Sequence, residues 1–170
     1  MEHNRLLILF GPPGVGKNYV GELLAEHFGF YFFDLDDEFP PELKTALVTG
    51  GVTQGRQVAQ DIQVDLRRRV YQRVQDLLVH PRLAVAWVAF RESARADVLQ
   101  HFPNAEFVLI EAHEEVRKQR IADRRGHWSP AEVAIRSADR FEPVNIPHRV
   151  LRNDGIREEL LKDLSTFLDT

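Results

Sequence analysis

The sequence predicts an α/β domain, a five-stranded parallel sheet flanked by helices in three layers. Three observations predict it. Short apolar runs, such as Arg5-Leu-Leu-Ile-Leu-Phe10, alternate with longer stretches of helical periodicity. The first run leads straight into a glycine-rich segment, GPPGVGKN, at residues 11–18. No internal repeat, linker or low-complexity tract breaks the alternation, so residues 1–170 read as a single domain. Parallel strands need crossover connections, and helices on both faces supply them.

Arg5 to Phe10 is continuous enough in apolar residues to be a strand buried on both faces, and Gly11-Pro12-Pro13 ends it. Val20, Leu23, Leu24 and Phe28 then recur at helical spacing, with Gly29 as a stop signal. Phe30 to Phe33 is a second strand, ending on the acidic cluster Asp34-Leu35-Asp36-Asp37. Residues 38–53 read as irregular, broken by Pro40-Pro41 and Gly50-Gly51. Val58, Ile62, Leu66, Val70, Val74 and Leu77 keep one stripe on a long helix over 55–79. Leu83 to Phe90 is a third strand with Trp87 in the core, and Ser93 caps a short helix to Phe102. Glu106 to Ile110 is a fourth strand, followed by a charged helix through Arg125. Ser129-Pro130-Ala131-Glu132 reads as a capping box with proline at the first helical position. Pro143 and Pro147 end that helix, His148 to Arg152 is a fifth strand, and Ile156 to Leu168 a closing helix.

Composition narrows the function. Hydrophobic residues make up 44% of the 170 and charged residues 28%, as in an ordinary globular protein. A net charge of −4 argues against a general nucleic-acid or membrane surface. The absence of cysteine excludes disulfides and thiolate metal sites, and the histidines show no metal-ligand spacing. No apolar run approaches a membrane span and none resembles a cleaved signal, so a cytoplasmic protein is expected.

Residues 11–18 fit the pattern G-x-x-x-x-G-K-[ST] at Gly11, Gly16 and Lys17, and depart from it at Asn18. A glycine turn between strand and helix points backbone N–H groups inward, and the helix start adds partial positive charge. Gly11, Pro12, Pro13, Gly14, Val15, Gly16, Lys17, Asn18 and Tyr19 are therefore the expected phosphate-binding segment, with Lys17 stabilising charge during transfer. Asn18 has three readings: its carbonyl oxygen ligates magnesium, it holds a metal-bound water, or metal binding is impaired. Asp34 and Asp36 share a face at a strand end, where open α/β sheets place ligands. One could orient a water on magnesium while the other accepts a proton from an attacking hydroxyl. Arg120 and Arg124 share a helix face within the basic run Arg117, Lys118, Arg120, Arg124, Arg125, and Gly126 follows. That composition suits a helical lid over about 117–140, whose arginines neutralise phosphate and exclude water. Arg56, ahead of the long helix, could reach an acceptor or lie on the surface. His127 could contact phosphate or hold the flap, and Trp128 could cover nucleotide or pack the flap down.

Together these residues resemble the small P-loop kinases that phosphorylate metabolites, among them gluconate, shikimate and nucleoside monophosphate kinases. They are most similar to the gluconate kinase-like branch. Val88-Ala-Phe-Arg91-Glu-Ser-Ala-Arg95 stands where that branch has a serine-alanine-leucine-lysine run and a tyrosine-arginine pair. Arg120-Ile-Ala-Asp-Arg124-Arg-Gly-His127-Trp128 is similar to its lid, and Ser137 to Pro143 to a segment ending in Glu-Pro. The acceptor side departs: Phe39-Pro40 replaces a histidine-proline pair, and Ala94 the tyrosine.

The resemblance implies a P-loop NTPase-type three-layer fold using ATP and Mg2+. It implies that Lys17 and the loop hold ATP phosphates, that Asp34 supports magnesium, beside which Asn18 stands in place of the usual hydroxyl, and that Asp36 meets the acceptor hydroxyl. Arg91 and Arg95 would bind an anionic acceptor. Arg120 and Asn153 would lie near adenine, and Arg124 would reach the phosphates. The expected protein is a monomer or homodimer that moves the γ-phosphoryl group to a hydroxyl of a small anionic metabolite, gluconate- or shikimate-like. The alternatives are a non-catalytic nucleotide-binding regulator and a nucleotide or dephospho-coenzyme A kinase.

Overall fold

The computed structural model describes residues 4–49, 52–127 and 129–169, except for the side chains of 46–47, 49 and 52–64. Its strands are β1 (Arg5–Phe10), β2 (Tyr31–Asp34), β3 (Arg82–Ala86), β4 (Glu106–Glu111) and β5 (Arg149–Arg152). They form one sheet in the order β2-β3-β1-β4-β5, parallel throughout. Its helices are α1 (Lys17–Phe28), α2 (Pro41–Thr49), α3 (Val52–Leu77), α4 (Glu92–His101), α5 (Glu114–Ala122), α6 (Ala131–Ala138) and α7 (Arg157–Leu168).

β1 is central, so its side chains feed both layers. Leu6, Ile8 and Phe10 pack against Leu66, Val70, Val74 and Leu77 of α3 and Val98 of α4. Leu7 and Leu9 pack on the opposite face against Val20, Leu23 and Leu24 of α1 and Leu160 and Leu164 of α7. Gly21 lets α1 close on β2: an added Cβ would lie 2.1 Å from the Phe32 ring. Gly29, left-handed at φ 69°, ends α1 as expected. Trp87 is buried in the core as read from the sequence.

Several boundaries differ for local reasons. Part of 38–53 is the helix α2, because Pro41 occupies its first position, where no N–H is needed, and Pro40 O accepts from the N–H of Leu43 and Lys44. β3 stops at Ala86; Trp87 N–H still reaches Leu9 O at 2.8 Å, but Ala89 N–H turns back to Trp87 O. α5 ends at Ala122, three residues before Arg125. α4 starts at Glu92 with Arg91 at the cap, so Ser93 lies inside the helix. The Glu142 carboxylate accepts from Glu92 N–H at 2.8 Å, doing from a distant segment what a serine cap does locally. In α6 the cap position is Pro130 itself, without a side-chain cap bond, so no capping box forms at Ser129. Among the described residues no helix is long and apolar enough to cross a membrane.

Candidate active site

The strand order sets the C-terminal ends of β2, β3 and β1 side by side, bringing Asp34, residues 87–91 and the glycine loop to one edge. The loop's shape depends on glycine. Gly11, Gly14 and Gly16 have φ of 148°, 86° and 89°, which other residues rarely adopt. A Cβ on Gly14 would also lie 2.7 Å from Arg117 O, and one on Gly16 2.4 Å from Asn153 Nδ2.

Those contacts reveal what braces the loop. Asn153, buried just after β5, donates from Nδ2 to Val15 O at 2.8 Å. Arg120 Nη1 donates to the same carbonyl at 3.3 Å, and Arg117 Nε to Pro13 O at 3.1 Å. The structure thus brings Arg120 and Asn153 to the loop itself. Arg117 is a brace that motif reading passed over. Its signal was available: Arg117, Arg120, Ile121 and Arg124 fall on one helical face, and buried Ile121 shows that this face turns inward.

Lys17 opens α1 and donates from Nζ to Gly11 O at 2.9 Å and Pro12 O at 3.4 Å. Its pKa is pushed down to about 8: burial lowers it, Asp36 and Asp34 raise it, and Arg124 and Arg117 lower it further. Five charged groups from three stretches of chain therefore share one electrostatic centre. Arg124 belongs to it, its pKa lowered by burial against the opposing charge of Asp36. His127 is held below its ordinary value first by burial and then by Arg124, with Asp36 and Asp34 opposing. His127 Nδ1 also accepts from Ser129 N–H at 3.1 Å, which fixes the ring where the chain turns toward α6.

Asp34 and Asp36 flank the start of a 3-10 turn, Leu35–Glu38, in which Asp34 Oδ1 accepts from Asp36 N–H at 3.1 Å. Asn18 donates from Nδ2 to Asp34 Oδ2, so the two residues assigned to the metal touch. Amide and carboxylate oxygens are the hard donors that magnesium takes. Among the described residues no group of three or more His, Asp or Glu could hold a metal by itself. A nucleotide-bound magnesium needs no such cage, since phosphate oxygens and water fill most of its shell, so the donors present fit it. Tyr19 is exposed on the first turn of α1.

The acceptor side divides. Arg91 is exposed at the start of α4, on the same sheet edge. Arg95 must be corrected. It is fully buried, and all five of its N–H groups are engaged within the protein. Nε donates to Glu92 Oε2 at 2.8 Å, Nη1 to Ala89 O at 2.8 Å and Phe90 O at 3.1 Å, and Nη2 to Glu142 O at 2.9 Å and Pro143 O at 2.7 Å. Its guanidinium also lies 5.1 Å from the Phe141 ring centroid. Arg95 is a strut joining the end of β3 to the segment after α6, with no donor left for a ligand. The side chains of Arg56 and Trp128 lie outside the described residues.

Residues 6–144 match the model of a family described as an AAA domain. The chain is 26% identical over 162 residues to a protein of Xenopus tropicalis named "Probable gluconokinase", covering 88% of this chain and 84% of that one. It is 38% identical over 78 residues to a shikimate kinase of Streptomyces avermitilis, covering 46% and 39% of the two chains. The structure superposes on a gluconokinase from Sinorhizobium meliloti 1021 with a TM-score of 0.66 at 21% identity, over 98% of this chain and 92% of that one.

Proposed function

The chain belongs to the AAA domain family, its fold is that of the P-loop kinases, and on that premise we propose that it is an ATP-dependent small-molecule kinase. It moves the γ-phosphoryl group to a hydroxyl of a small anionic metabolite, with gluconate- and shikimate-like acceptors the first to try. One observation carries the reading: Lys17, Asp34, Asp36, Arg117 and Arg124 share an electrostatic centre beside the glycine loop. A loop that served only as a turn would have no reason to gather two carboxylates and two further cations around its lysine.

Each group has a task. The N–H groups of residues 11–16 and the start of α1 bind phosphate oxygens. Lys17 exchanges its bonds to Gly11 O and Pro12 O for phosphate, and the added negative charge draws its pKa back up. Asp36 holds the acceptor hydroxyl in line and takes its proton, while Arg124 offsets charge on the phosphoryl oxygens. Asn18 and Asp34 would hold magnesium, which supplies charge neutralisation on those oxygens when bound. Arg117, Arg120 and Asn153 hold the loop in shape. Positioning and charge stabilisation suffice for phosphoryl transfer, so no covalent nucleophile is needed. Among the described residues Arg91 is exposed toward an anionic acceptor, while every donor of Arg95 is already bonded.

The test is transfer from radiolabelled ATP to a panel of sugar acids, cyclic hydroxy acids and nucleotides, with and without magnesium. Transfer that needs one acceptor class and is lost in D36N supports the reading. Tight ATP binding with no transfer across the panel would point instead to a nucleotide-binding regulator.

A further inference from the structure

Asn18 stands where the loop pattern expects a hydroxyl, and its amide is bonded from Nδ2 to Asp34 Oδ2. The reverse amide orientation would set oxygen against carboxylate oxygen, so electrostatics selects the nitrogen as donor. The other Asp34 oxygen accepts the N–H of Asp36 at 3.1 Å. Each oxygen of that carboxylate therefore already holds a protein donor.

A serine or threonine at this position would do two things with one atom. Its hydroxyl would donate toward the carboxylate while the lone pairs of the same oxygen faced a cation. An amide divides these tasks between two atoms. Nitrogen is committed to Asp34, and only the neutral carbonyl oxygen remains for a cation or its water. With both oxygens already engaged by protein N–H groups, the carboxylate has less negative charge to offer a cation or its water.

We propose that Asn18 and Asp34 form a latch that largely uncouples nucleotide binding from magnesium. Nucleotide is held by the loop N–H groups and Lys17, and magnesium adds little to its affinity. This rests on the nucleotide-binding part of the function proposed above and adds a property of this chain's own residues.

The test is binding of fluorescent N-methylanthraniloyl-ADP to the full chain, in EDTA or in excess magnesium, for wild type, N18T, D34N and the double variant. Asn18 is exposed, so N18T leaves the core untouched; thermal melts confirm that every variant is folded. Removing magnesium is expected to change the wild-type Kd less than about threefold, and that of N18T about tenfold or more, the scale on which metal-shell partners act. D34N should abolish the gain in the N18T background. A wild type that loses about tenfold or more without magnesium, matching N18T, overturns the latch. So does an N18T variant as insensitive as wild type. Failure of the ADP analogue to bind under any condition overturns the nucleotide reading and the latch together, whereas binding with the wrong magnesium response overturns the latch alone.

Discussion

Replacing Arg95 with Met separates a strut from a substrate ligand. The side chain is fully buried, and its removal takes a donor from the Glu92 carboxylate and from the carbonyls of Ala89, Phe90, Glu142 and Pro143, of which Glu92 keeps Asn145 N–H and Phe90 keeps Glu142 N–H. Met keeps most of the volume beside Phe10 and Phe141, so the loss is chiefly polar. The bond to Ala89 O is fully buried, while the other four are partly buried and can recover water. Removing one partner of a buried ion pair costs about 3–5 kcal/mol, and the partial hydration places Arg95→Met near the lower end, about 3 kcal/mol. For a chain of this length each kcal/mol moves Tm by about 2–4 °C, so Tm should fall by about 10 °C. Arg95→Lys supplies fewer donors from a single point and should lose about half as much. Urea unfolding followed by circular dichroism measures this, with a lower midpoint at unchanged slope. Nucleotide affinity should hold, because no Arg95 donor faces the loop. A Tm within about 2 °C of wild type, combined with a raised KM for an acceptor, would refute the strut and restore Arg95 as a ligand.

Acid should find the same strut. Burial raises the Glu92 pKa, but the hydrogen bonds from Arg95, Asn145 and Ile146 outweigh it and hold the group below its ordinary 4.5. Its stabilisation is therefore complete above pH 4.5 and lost as pH falls through the lower folded value, a loss that Glu92→Gln should remove from the acid melting profile. Lys17, lowered to about 8, makes the opposite test at alkaline pH. Its charged form is disfavoured in the folded protein, so its contribution to stability improves as pH rises from about 8 toward 10.5. ADP affinity should be flat below pH 8 and weaken above it, and calorimetry in two buffers should detect proton uptake on binding. Asp36→Asn should lower kcat by about 10²-fold or more with little change in ADP Kd, while an unchanged kcat would remove Asp36 from the chemistry. Asn153→Ala deletes a buried bond to Val15 O and should cost about 1–2 kcal/mol as well as weaken ADP binding; a change in stability alone would confine it to a structural role.

The central elements were legible because their signals are local. A doubly buried strand has to be apolar throughout, as β1 is, and a loop that turns its N–H groups inward has to carry glycine where φ is positive. The stripe Leu66, Val70, Val74, Leu77 likewise marks the inward face of α3 without any knowledge of its partner. Where signals were misread, a distant segment had taken over. Ser93 does not cap α4 because Glu142 does, and Pro40-Pro41 introduces α2 instead of ending order.

The same division runs through the site. Gly11, Gly16, Lys17 and the strand-end aspartates follow from sequence alone, since phosphate cradles and parallel sheets permit few residue types at these positions. Sequence could not tell Arg91 from Arg95, four residues apart at the start of one helix and alike in charge. Tertiary structure decided it: the turn after α6 brings the carbonyls of Glu142 and Pro143 to Arg95, and with Glu92, Ala89 and Phe90 they consume every donor. It likewise set Asn18 against Asp34, 16 residues away, because α1 and the end of β2 meet only once the sheet has formed. A residue type states which bonds a side chain can make, and only the fold decides which partner arrives to make them.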